Sequence, residues 1–138
     1  ADALAADFHA TLARSFPAVA HLRGAASEEA AEPALGALRD TLAALQSTVD
    51  ALVELVYHVD AWTAEARGHS VGQDPQQALK HVGGLVDMYQ TELLAKREAL
   101  ADLTCEEIGL DEFAERWQNC REIEEGKKQT MDELADLL

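Results

Sequence analysis

The sequence predicts an all-α fold, an antiparallel long-helix hairpin of coiled-coil character with flanking N- and C-terminal helices forming a small bundle. Three observations predict it. From Leu35 to Val59, apolar residues stand at Leu35, Leu38, Leu42, Leu45, Val49, Leu52, Val56 and Val59, in alternating steps of three and four. A second run repeats the rhythm at Leu79, Val82, Val86, Tyr89, Leu93, Lys96, Leu100 and Leu103, with a lysine at one position. Between the runs lie Gly68, Gly72 and Asp74-Pro75, a turn short enough to demand antiparallel neighbours. A strand would alternate with period two; a sustained period of 3.5 is the seam of a helix packed lengthwise against others. Each seam side chain removed from water contributes about 1.5–3 kcal/mol, so something must cover these stripes.

Composition agrees with the periodicity. Alanine and leucine dominate, and aromatic residues make up only 5% of the 138, which favours helices. That length is one domain, residues 1–138, with a single core. The net charge is −15, and residues 101–138 alone hold twelve acids against four bases. Such a surface repels phosphate backbones and anionic lipid, which argues against direct nucleic-acid or membrane binding; its natural complement is a basic protein. Cys105 and Cys120 do not make a disulfide framework and point to a reducing, intracellular setting. No apolar run approaches the ~20 residues needed to span a bilayer, and no signal segment is recognisable at the start.

The elements follow in order. Residues 1–23 read as an N-terminal helix with Leu4, Phe8, Leu12 and Phe16 on one face, ended or kinked near Pro17, which removes a donor. Residues 24–32, small and acidic, read as a loop. Pro33 suits the first position of a long helix, 33–67. Residues 68–74 form the turn, with Gly68 as C-terminal cap and Asp74 as N-cap, Gln77 completing a capping box. A second long helix spans 75–103, interrupted in composition by Gly83-Gly84, which are tolerable only where another helix approaches closely and otherwise weaken the helix by about 1 kcal/mol each. Residues 110–138 read as a C-terminal helix or helices, capped by Asp111 and broken near Gly126. Phe113, Trp117 and Cys120 line its apolar face, and Met131, Leu134 and Leu138 restore that face at the end. This last segment either closes the bundle or docks on another protein as a helix in a groove.

Chemistry is sparse. Glu54 and His58 stand four apart on one helix, but no second such pair completes a metal site, so neither metal nor cofactor is expected. Cys105 and Cys120 sit among acids (Glu106, Glu107, Glu122), which raise rather than lower a thiol pKa. No glycine-rich phosphate loop follows a strand. The chain reads as no enzyme. Lys96, with Glu92 a turn before it, is open to two readings. Either its stem lies along the apolar surface with the ammonium in water, or it meets an acidic group on a partner or on the C-terminal helix.

The segment Asp87-Met88-Tyr89-Gln90-Thr91-Glu92-Leu93-Leu94-Ala95-Lys96-Arg97 resembles the cyclin-dependent-kinase-2-interacting protein family, in which Met-Tyr, Glu-Leu-Leu and Lys-Arg recur at the same spacing. Ala5-Ala6-Asp7-Phe8-His9 is similar to that family's N-terminal Ala-Ala-Asp-Trp-His, with Phe for Trp. The likeness spans most of the chain, although the acidic region after Trp117 shows little literal match. It implies a non-enzymatic helical adaptor, nuclear and cytoplasmic, acting beside cell-cycle kinases in DNA replication and checkpoint control. It also implies membership of an AAA-type ATPase assembly of ribosome maturation, alongside a second small helical subunit. The residues expected to meet a partner are Met88, Glu92, Lys96, Arg97, Trp117, Met131 and Leu134. The other reading is a structural coiled-coil subunit of a tethering or kinetochore-type complex, whose seams pair between chains.

Overall fold

The computed structural model describes residues 2–66, 75–120, 122–124 and 126–127. Four helices organise them: α1 (Asp2–Arg23), α2 (Glu28–Ala66), α3 (Pro75–Thr104) and α4 (Leu110–Gln118). The fold is all-helical, with no strand among the described residues. α2 packs against both α1 and α3, and α4 packs against both α3 and α1. The backbones of α1 and α3 stay apart; these helices meet through side chains, as where the Phe8 and Tyr89 rings lie 4.6 Å apart between centroids.

Both periodic stripes point inward along most of their length. Leu38, Leu42, Leu45, Val49 and Leu52 of α2 are buried, as are Val82, Val86, Tyr89, Leu93, Lys96 and Leu100 of α3. Leu35, Val56, Leu79 and Leu103, toward the stripe ends, are half-buried. α1 contributes Phe8, Leu12, Val19 and Leu22, and α4 contributes Phe113, Ala114 and Trp117. Phe16 is only half-buried, because Ser15 takes the inward position beside it.

Several expected boundaries move. α1 keeps the expected extent, running on through Pro17 to Arg23 rather than ending there. Pro17 and Ala13, whose carbonyl loses its intrahelical donor, are both exposed, so water can serve that carbonyl. α2 begins at Glu28, five residues before Pro33, because Ser27 caps it: the Ala30 N–H donates to Ser27 Oγ at 3.1 Å. Glu28 and Glu29 then sit at the positive end of the helix dipole. The loop is therefore shorter than residues 24–32.

Asp111 does not cap α4. The cap residue is Gly109, with no side-chain bond, while the Asp111 carboxylate pairs with Arg23 at 2.7 Å. α4 ends at Gln118 rather than near Gly126, with Asn119 extended (φ −82°, ψ 118°). Residues 122–124 and 126–127 are helical again, and Ile123 is buried. An added Cβ at Gly126 would meet Met88 Sδ at 2.6 Å, so this glycine marks a close approach to α3 instead of the expected break. Beside Gly83 and Gly84 the reverse holds: among the described residues an added Cβ would meet nothing within 4 Å. The caps assigned to Gly68, Asp74 and Gln77 lie outside the described residues or side chains, as do Met131, Leu134 and Leu138.

α3 ends in a Schellman turn. Glu107 N–H donates to Asp102 O at 2.8 Å and Glu106 N–H to Leu103 O at 3.1 Å. Glu106 occupies the left-handed position, with φ 60°. This tight reversal aims α4 back along α3 and α1.

Candidate functional site

The most unusual feature of the interior is polar. Lys96 and Glu92, one turn apart on α3, are each 1% exposed. An ammonium in an apolar seam is tolerable only when its donors are answered. Lys96 Nζ donates to Asn119 O at 2.6 Å and to Arg116 O at 3.0 Å, and it lies 2.9 Å from Glu92 Oε1. The two carbonyls are at the C-terminal end of α4, where the dipole is negative and carbonyls lack helical donors, so the lysine acts as a cap supplied from another helix. Glu92 Oε1 stands at ion-pair distance from Nζ yet makes no directed hydrogen bond, so the attraction there is Coulombic. Glu92 Oε2 accepts the Glu122 N–H at 3.2 Å. One buried pair thus fastens both the end of α4 and the segment after it.

Further polar groups surround the pair. Tyr89, buried, is hydrogen-bonded through its hydroxyl to His9 Nε2 at 3.0 Å. Burial pushes the Tyr89 phenol above its ordinary value, and Cys120 adds to this. Burial holds His9 below the ordinary imidazole value, helped by the charge of Lys127 and opposed by that of Glu92. The Cys120 thiol is pushed up, chiefly by burial. Lys96 pulls it down, while the charge of Glu92, a hydrogen bond to that carboxylate and Glu124 push it up. It is therefore held as a thiol rather than prepared as a nucleophile. Across the core, Trp117 Nε1 donates to Ser15 Oγ at 2.8 Å, and the serine donates onward to Leu12 O. The single donor of the indole is satisfied, and α4 is tied to α1.

The seven residues expected at a partner surface separate. Glu92, Lys96 and Trp117 are interior, at 1%, 1% and 0% exposure, and are used up in packing this chain against itself. Met88 is half-buried beside Gly126. Arg97 is exposed, donating to Gln46 Oε1 at 2.9 Å. Met131 and Leu134 lie outside the described residues. Of the two readings of Lys96, the ammonium in water is overturned; the C-terminal helix does meet it, through carbonyls rather than an acid. Ser15 was missed as a member of the polar interior, and half-buried His9 and Cys120 were not tied to it. A serine one residue from the apolar stripe was the faint signal for one of them.

Among the described residues no cluster of three or more His, Cys, Asp or Glu is placed to hold a metal ion, and no helix is long and apolar enough to cross a membrane. No protein-family model, curated protein or solved structure matches the chain.

Proposed function

We propose that the chain is a non-enzymatic helical adaptor, an interaction subunit of a larger nuclear assembly. Its scaffold would be an antiparallel α2–α3 hairpin closed into a small bundle by α1 and α4. Chain length supports the antiparallel sense. The nine steps from Ala66 to Pro75 span at most about 32 Å, whereas a parallel return along the 30 residues of α3 needs about 45 Å. The observation that carries the functional reading is the pairing of a polar interior whose groups answer one another with a long two-helix rod that leaves large apolar side chains, Tyr57 and Leu94, in solvent. By the resemblance of Met88–Arg97, the partners are an AAA-type ATPase assembly of ribosome maturation with a second small helical subunit, and cyclin-dependent or related kinases of replication and checkpoint control. The nucleus and cytoplasm would be its compartments. The coiled-coil reading is less favoured, because Leu38, Leu45, Val49 and Leu52 are already covered within one chain.

Affinity purification of the tagged chain from nuclear extract tests this, with mass spectrometry of what is retained. Stoichiometric recovery of an ATPase or kinase is the expected result. A chain that elutes alone at monomer mass removes the adaptor reading, and an obligate elongated oligomer in light scattering replaces it with the coiled-coil one.

A further inference from the structure

The Gln46–Arg97 hydrogen bond sets α2 against α3 on the outer side of the pair. Steps of four, seven and eleven from Gln46 reach Asp50, Val53 and Tyr57. Steps of three and ten back from Arg97 reach Leu94 and Asp87. Such steps keep to one side of a helix, so both sets border the same outer groove of an antiparallel pair. Tyr57 is 70% exposed and Leu94 55%, with Val53 half-buried between their levels. In the antiparallel register these three fall along one line, an apolar strip open to water. Its rim is acidic: Asp50, Glu54, Asp60 and Asp87 are exposed, and none of the four is ion-paired among the described residues. Arg97, occupied by Gln46, is the cation at the edge.

We infer that this groove docks a basic amphipathic helix of a partner protein, which lays leucine-like side chains along Val53, Tyr57 and Leu94 and sets lysines or arginines against the carboxylate rim. Charge selects this occupant. A second copy of the chain brings another −15, and residues 129–138 bring Asp132, Glu133 and Asp136 with no base. Either would place acid against acid around the strip. The inference rests on the adaptor reading and on the antiparallel hairpin, and names the surface that reading would use.

The test titrates the isotope-labelled full chain with two synthetic helical peptides that share a leucine face, one flanked by lysines and the other by glutamates. The lysine peptide is expected to move amide signals centred on residues 46–57 and 87–97, and to bind at least tenfold tighter than the glutamate peptide. The double variant Tyr57→Ser with Leu94→Ser, both exposed and so compatible with an unchanged fold, is expected to weaken it at least fivefold. Added salt should weaken it further as the rim is screened. The site is overturned by absence of lysine-peptide binding, by signals spread over α1 and α4, by equal binding of the two peptides, or by unchanged affinity in the double variant. Each of those results leaves the adaptor reading standing if the wild-type chain still retains partners from extract; a chain without partners removes that reading instead.

Discussion

At the scale of the residue, Lys96 has the most at stake. Replacing it with methionine keeps the apolar stem but leaves the Glu92 carboxylate and two carbonyls of α4 without their cation. Breaking a buried pair from one side costs about 3–5 kcal/mol, and Lys96→Met is expected to lower the unfolding free energy in urea by that much. Glu92→Leu combined with Lys96→Met should cost less than the sum of the two single changes, since no orphaned charge remains. Additive losses would show that the pair is uncoupled. His9 gives a pH signature. Its folded pKa lies below the ordinary 6.5, so the unfolded chain binds more protons between those two values, and stability falls as pH drops through that window. His9→Gln should flatten unfolding free energy against pH below about 6.5. Cys120 and Tyr89 have the opposite sense: their raised values favour the neutral forms, so stability they contribute is lost as pH rises from the ordinary 9.0 and 10.0.

At the scale of the element, one position inside α3 and one in the turn that ends it carry the wrong residue for stability. Gly84 sits exposed inside α3, with nothing near an added Cβ, so Gly84→Ala should stabilise by about 0.5–1 kcal/mol. Glu106 holds a left-handed angle that glycine adopts without strain, and Glu106→Gly should stabilise by about 1 kcal/mol. Each is read as a rise in melting temperature, and a fall in either would show that the local geometry is otherwise. These elements also show what the chain made legible before its structure was known. Leu38 to Leu52 could be assigned to the interior because burial on a helix repeats at a spacing any reader can count. The ends were less visible. Ser27 outcompeted Pro33 as the start of α2 through a single side-chain bond, and α4 ends at Gln118 with its last carbonyls answered by Lys96 and no breaker residue to mark the place. The acceptors of Lys96 are backbone atoms twenty and more residues downstream, which carry no signature in the side-chain text. The polar cluster was accordingly legible only as one misfit lysine and the glutamate a turn before it.

At the scale of the whole molecule, the last described parts tie the helices to one another. Trp117 to Ser15, Arg23 to Asp111, Arg116 to Asp102 and Lys96 to the end of α4 all join residues beyond 110 to α1 or α3. A fragment of residues 1–109 keeps both long stripes yet lacks every one of these ties. It is expected to be helical in far-ultraviolet circular dichroism but without dispersed methyl signals in NMR, the mark of helices without fixed packing. A cooperatively melting fragment would show that α1 to α3 suffice.

The lysine within the seam therefore bears on synthesis as well as on stability. During synthesis Lys96 is made before Arg116 and Asn119, whose carbonyls accept from its ammonium. Until residues 116 to 119 arrive, α3 carries a charge in its apolar stripe that the end of α4 does not yet answer. A product cut off before residue 116 would lack those acceptors and present itself to proteases as unfinished.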